Sequence, residues 1–177
     1  SLCGKEYRVN ENATTVAQYI GSDTCATLIS HDESIALFSQ LGVKHTPELK
    51  EPEVAMPFQG TYTRQAFARQ MIDAYRRAGV PPEDVLPQSF DLDDILYWVE
   101  HEPEFGRRAV YLDTRVDYPF GYALSVSTLP TLARRGVRIV APPLWALLDL
   151  EGDTIVASEY AKTARKAGLE IITWTLE

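Results

Sequence analysis

The chain has 177 residues, 45% hydrophobic and 24% charged, which is enough apolar material for one globular domain or for part of a larger one. Its formal net charge of −8 argues against non-specific binding to nucleic acid or acidic membranes, because those surfaces need clustered Lys and Arg. No stretch approaches the roughly 18 consecutive apolar residues of a membrane span, and the N-terminus lacks the basic-then-apolar layout of a signal peptide, so any targeting segment is expected to have been removed already.

Residues 1–29 read as an irregular segment and 30–177 as βα units, the whole forming a single domain. Cys3 and Cys25 both fall in the irregular stretch. A disulfide closing that loop would imply an oxidising compartment, and two free thiols are the alternative. Asn12-Ala13-Thr14 has the form of an N-glycosylation acceptor, a triplet that chance also produces often.

The first helix begins at the capping box Ser30-His31-Asp32-Glu33 and carries Ile35, Phe38 and Leu41 as an apolar stripe. The run Val43–Leu49 then reads as a strand. A second helix starts near Thr63 and turns Phe67, Met71, Tyr75 and Ala78 inward, and Val85–Phe90 follows as a strand. Asp91 is expected to cap a third helix with Ile95, Leu96 and Val99 inward, before the strand Ala109–Leu112. Ser127 is expected to cap a fourth helix with Pro130 in its first turn, ahead of the strand Val137–Ala141. Ser158 caps a fifth, running through Tyr160, Ala161 and Ala164, and Glu170–Thr175 is the last strand. Gly42, Gly79, Gly136 and Gly168 each sit between a helix and an apolar run, where a helix C-terminus needs a left-handed residue. Strands alternating with helices predict a parallel sheet, doubly wound or closed. Polar residues at strand ends, with no glycine-rich nucleotide loop, favour a (β/α)8 TIM barrel, of which about the last five strands are present.

Period two on the Val43–Lys50 run places His45 on the helix-facing side and Glu48 with Lys50 on the other. That carboxylate and ammonium suit either a hard cation and a phosphate oxygen or a plain ion pair. The three histidines read as structural: His31 in the capping box, His45 as packing, His101 exposed at a helix end. The acidic run Asp91–Asp94 reads as capping, Glu100–Glu104 as a solvated turn, and Trp98 and Trp145 as core aromatics. Trp174, at the last strand's end, could form an aromatic wall.

Thr46-Pro47-Glu48-Leu49-Lys50, Gln88-Ser89-Phe90, Tyr111-Leu112-Asp113 and Thr173-Trp174-Thr175, in that order, resemble the glycerophosphodiester phosphodiesterase family, and in particular its longer secreted branch. Segments such as His31-Asp32-Glu33-Ser34-Ile35, Met56-Pro57-Phe58 and Ser158–Lys162 support the same likeness, which spans most of 27–177. The resemblance implies a TIM barrel that hydrolyses glycerophosphodiesters to glycerol 3-phosphate and an alcohol, with a divalent cation, Ca²⁺ or Mg²⁺, and two histidines. It makes Glu48 one of three carboxylate metal ligands, Lys50 the phosphate contact, Trp174 the aromatic beside glycerol, and Gln88 a further wall or substrate contact. The family's His-Arg-Gly strand, Glu-x-Asp pair and second His-Asp strand should precede Glu48, and none is in the sequence. The catalytic residues are therefore unknown, the chain is expected to be the C-terminal portion of a secreted or periplasmic barrel, and alone it is expected to be inactive. The alternative is a non-catalytic barrel or half-barrel that binds a phosphorylated ligand or a partner protein. A small-molecule substrate is expected, with no nucleic acid and no membrane span.

Overall fold

A computed structural model describes residues 29–174. Cys3 and Cys25 lie outside the described residues. The protein is mixed α/β. Four strands, β1 (Gln88–Ser89), β2 (Val110–Leu112), β3 (Ile139–Ala141) and β6 (Glu170–Ile171), form one parallel sheet in the order β1-β2-β3-β6. Six α-helices accompany them among the described residues: α1 (His31–Gln40), α2 (Arg64–Arg77), α3 (Leu92–His101), α4 (Pro103–Gly106), α5 (Gly121–Arg134) and α6 (Glu159–Lys166).

The expected first strand pairs with the β1 segment in parallel, but only as two isolated bridges, His45 to Val85 and Glu48 to Gln88. Pro47 explains the break. The backbone N–H groups of His45 and Leu49 donate to Asp84 and Gln88, and those of Leu86 and Gln88 donate back to His45 and Pro47. Pro47 has no N–H to supply the bond between them. Among the described residues the two outer members, this bridged segment and β6, are not paired with each other.

The capping box forms as the sequence indicates: the Glu33 N–H donates to Ser30 Oγ at 3.2 Å, and the Ser30 N–H to Glu33 Oε2 at 2.7 Å. Ile35 is buried, but Phe38 and Leu41 are exposed, so only part of the expected stripe is covered. Thr63 caps α2, which buries Met71 and Tyr75 together with Ala68, Ile72 and Ala74, while Ala78 is exposed. Asp91 caps α3, and Ser158 caps α6, whose Tyr160, Ala161 and Ala164 are buried.

The fourth predicted helix starts too late. Observed α5 begins at Gly121, preceded by Phe120 in the left-handed region at φ 63°, and Pro130 sits inside it. A Cβ on Gly121 would lie 1.7 Å from the Arg115 carbonyl oxygen, so the close approach that starts this helix admits only glycine. Ser127 bonds back to the Leu124 carbonyl at 2.9 Å instead of capping, a use of hydroxyls inside helices that competes with the N-cap reading.

The short helix α4 had no counterpart among the expected elements, and neither did a hairpin. Strands β4 (Leu148–Glu151) and β5 (Thr154–Ala157) form an antiparallel hairpin turned by Gly152 at φ 63°. The alternation Leu148-Asp149-Leu150-Glu151 before Gly152-Asp153 was the available signal.

The sheet buries both faces. Val85, Ala109, Tyr111, Val137 and Val140 pack toward the helices, with Trp98 and Tyr160 among the large buried side chains. Val110, Leu112, Ile139 and Ala141 form a separate cluster on the other face, joined by Leu86 and Trp174. Strands buried on both sides read as continuous apolar runs, which is why Val110–Leu112 and Ile139–Ala141 carry no alternation.

Candidate functional site

The parallel register lines up one face. Glu48 bridges Gln88, Gln88 pairs with Val110, and Val110 with Ile139. This row lies opposite the helices, since His45 and Leu49, the neighbours of Glu48 at odd spacing, are buried on the helix side. Two residues further along each strand come Lys50, Phe90, Leu112 and Ala141. Trp174 closes the far end, its indole N–H donating to the Ala141 carbonyl at 2.7 Å and its ring meeting Phe90 edge-on at 5.7 Å. The sequence reading missed Phe90, although its place two residues after Gln88 marks it as a neighbour on the same face.

Glu48 and Lys50 are in contact. The Lys50 ammonium lies 2.7 Å from Glu48 Oε1, with side-chain exposures of 76% and 22%. Glu48 Oε1 is shielded from solvent and has no partner of hydrogen-bond geometry, so the ammonium reaches it off the favourable direction. That oxygen is the orphaned acceptor of the site. A cavity of about 370 Å³ beside it is bordered by His31, Glu48, Lys50, Phe67, Gln70 and Met71. His31 thus stands closer to the Glu48–Lys50 pair than its capping position alone suggested. Its imidazole pKa lies below the ordinary value, chiefly because burial disfavours the charged form, against the raising effect of Asp32.

Two strand-end residues with an inviting chemistry turn the other way. Ser89 donates to Asp94 at 2.8 Å, and Asp94 also accepts from Arg64 Nε at 2.8 Å. Asp94, in the first turn of α3 as expected, is also the buried partner of Arg64, a contact that the capping reading of the Asp91–Asp94 run did not include. Asp113, fully buried, accepts from Arg115 Nε at 2.7 Å and Nη2 at 2.8 Å and from the Tyr160 hydroxyl at 3.0 Å. Burial alone would lower the Arg115 pKa, but the Asp113 hydrogen bonds and charge override it and hold it above its ordinary value. Both clusters lock helices to the sheet.

Glu102 is buried and bound to Arg76 at 2.6 Å, so the Glu100–Glu104 turn is not simply solvated. Trp145 is 53% exposed and not core, whereas Trp98 is core as expected, donating to the Ala68 carbonyl. His45 is buried between Phe38 and Tyr75, and His101 is exposed at the end of α3.

Among the described residues, no three His, Cys, Asp or Glu side chains converge as a cation site. They supply one carboxylate, Glu48, whose Oε1 is paired with the Lys50 ammonium, and so fit at most one position of a hard-cation shell. No helix among the described residues is long and apolar enough to cross a membrane.

No family model matches the chain. Among solved structures it resembles a Silicibacter pomeroyi protein assigned as a glycerophosphoryl diester phosphodiesterase, with a TM-score of 0.65 and 21% identity over 92% of this chain and 52% of that one. The chain thus spans about half the length of that structure, and the likeness is one of fold. It is also 42% identical over 179 residues to an extracellular protein of Arthroderma benhamiae, covering 95% of this chain and 73% of the relative. At that identity and coverage, the chain belongs to the family of this fungal extracellular protein.

Proposed function

We propose that this chain is the C-terminal portion of an exported, metal-dependent phosphodiester hydrolase that cleaves glycerophosphodiesters to glycerol 3-phosphate and an alcohol, on a (β/α)8 barrel whose remaining strands lie outside the described residues. The observation that carries the reading is the shielded Glu48 Oε1 held 2.7 Å from the Lys50 ammonium, on the same sheet face as Gln88 and Trp174. The phosphodiesterase-like fold and the extracellular relative support it.

In this reading Lys50 sets a positive charge against the phosphoryl oxygens and stabilises the charge that builds there in the transition state. Gln88 offers an amide to the substrate's hydroxyls, and Trp174 with Phe90 forms an apolar wall that excludes water from the glycerol moiety. Glu48 contributes one carboxylate to a Ca²⁺ or Mg²⁺ ion whose other ligands come from elsewhere in the whole protein. The acid–base pair is likewise placed outside the described residues, since His45 is buried on the helix side, His101 stands on α3, and His31, although it borders the Glu48–Lys50 cavity, belongs to the capping turn of α1.

Those histidine positions, with the closed Glu48–Lys50 pair, also favour a second reading: a half-barrel that holds a phosphorylated ligand, or a partner protein, without cleaving it. Calorimetric titration of the whole protein with Ca²⁺, and separately with glycerol 3-phosphate, divides the two. The hydrolase reading expects Ca²⁺ binding that Glu48→Gln weakens. Glycerol 3-phosphate binding lost in Lys50→Met, with no Ca²⁺ binding in any variant, would favour the second reading.

A further inference from the structure

Because the sheet is parallel, every loop that follows a strand leaves from the same edge, the edge that carries Lys50 and Trp174. The loops after β2 and β3 have an unusual surface. After β2, Tyr118, Phe120 and Leu124 are exposed, and Phe120 is 94% exposed on a backbone held at φ 63°. After β3, Trp145 leads into the β4–β5 hairpin, whose register pairs Leu148 with Ala157 and Leu150 with Ile155 on one face. Among the described residues nothing covers that face, with Leu150 and Ile155 each 67% exposed, and Trp145, Leu148, Leu150 and Ile155 border a shallow recess of about 440 Å³. The Tyr122 and Trp145 rings lie 6.5 Å apart and join the two loops into one surface.

A two-stranded hairpin with a bare apolar face is marginal in water and is stabilised by whatever it packs against. The charges around it narrow the occupant. The loop after β2 has one cation, Arg115, tied to buried Asp113; beyond it residues 116–133, and after β3 residues 142–161, contain no Lys or Arg but carry Asp117, Asp149, Glu151, Asp153 and Glu159. A second copy of the chain would bring two such acidic rims together, and an anionic lipid surface would be repelled in the same way. Side chains that protrude singly, Phe120 most of all, call for an occupant that deforms around them and not for a rigid matching pocket. Tryptophan, tyrosine and phenylalanine beside aliphatic tips suit the boundary between lipid headgroups and acyl chains.

We propose that these two loops form an interfacial docking surface for a zwitterionic phospholipid layer, whose outward choline groups meet the acidic rim while Phe120, Trp145 and the hairpin face enter the acyl boundary. The docking presents the Lys50–Trp174 edge of the sheet to the lipid. It does not depend on the hydrolase reading, because attachment is measured without turnover.

The test is co-sedimentation of the whole protein with phosphatidylcholine vesicles, and with vesicles in which part of that lipid is replaced by phosphatidylglycerol. Phe120→Asn keeps a residue that tolerates positive φ, and Leu150→Ser with Ile155→Thr alters only exposed positions, so both proteins should unfold at the wild-type temperature. Attachment to phosphatidylcholine, weakened by phosphatidylglycerol and reduced at least about tenfold by each variant, is the expected result. No attachment to phosphatidylcholine, stronger attachment to the anionic vesicles, or variants that bind like wild type would overturn the proposal. So would a lipid-free dimer that the same variants dissociate, because the surface would then be occupied by a second copy.

Discussion

Asp113 separates a residue that holds the site's scaffold from one that works in it. Replacing it by alanine removes a fully buried carboxylate that accepts from Arg115 Nε and Nη2, from the Arg115 backbone N–H at 3.3 Å, and from the Tyr160 hydroxyl. Breaking a buried pair by deleting one partner costs about 3–5 kcal/mol, because the other charge stays behind uncompensated. Arg115 keeps a bond to Thr128 Oγ1 at 2.9 Å and 24% side-chain exposure, which moves the expected cost toward the lower end. For a chain of this size, a loss of about 3 kcal/mol lowers the Tm by about 6–12 °C. Tyr160→Phe removes one donor and should cost about 1 kcal/mol. Adding it to Asp113→Ala should cost less than its effect alone, because the two side chains share one bond. Thermal unfolding followed by circular dichroism at neutral pH reads all three. An Asp113→Ala protein that melts with wild type yet has lost phosphodiesterase activity would refute the structural assignment and put Asp113 at the reacting centre.

Alkaline pH should destabilise the protein in a definite window. Burial pushes the hydroxyls of Tyr75 and Tyr111 up to about 12, against about 10 in the unfolded chain, and raises Tyr160 as well. The folded state therefore holds protons that the unfolded state has released, so stability is intact below pH 10 and falls as pH rises toward 12, by about 2–3 kcal/mol for each of Tyr75 and Tyr111. Urea midpoints that stay level from pH 9 to about 12 would contradict this. Gly121→Ala should lower the urea midpoint, corresponding to a loss of about 1–3 kcal/mol in unfolding free energy, the reverse of its usual effect inside a helix, because the new Cβ meets the Arg115 backbone carbonyl. An unchanged midpoint would mean that the turn before α5 can open.

The helix starts at Ser30, Thr63, Asp91 and Ser158 were legible because a capping side chain acts on a backbone only two or three residues away. The start of α5 was not, because what fixes it is the proximity of the Arg115 carbonyl to Gly121, a contact between turns that no local pattern encodes. The order of parallel strands followed from alternation of element types, while the β4–β5 hairpin broke that alternation and went unread. For the site, period two put Glu48 opposite His45, whereas the last strand, expected to run to Thr175, ends at Ile171 and Trp174 joins the sheet only through a bridge to Pro143. The same reasoning did not foresee the buried partner of Asp94 and misjudged Glu102 and Trp145. Whether an acidic residue in a polar run is solvated depends on an arginine elsewhere in the chain: Arg64 is 30 residues from Asp94, and Arg76 is 26 from Glu102. Trp145 looked like core by type, and only the absence of a covering element among the described residues leaves it exposed.

The most direct test of the proposed function is turnover of glycerophosphocholine by the whole protein, measured against Ca²⁺ concentration for wild type and for Lys50→Met. Losing an oriented charge at the phosphoryl group should lower kcat by about 10²–10³ while the Ca²⁺ dependence stays where it was. A Lys50→Met protein with wild-type turnover would show that the Glu48–Lys50 contact is only an ion pair at a strand end.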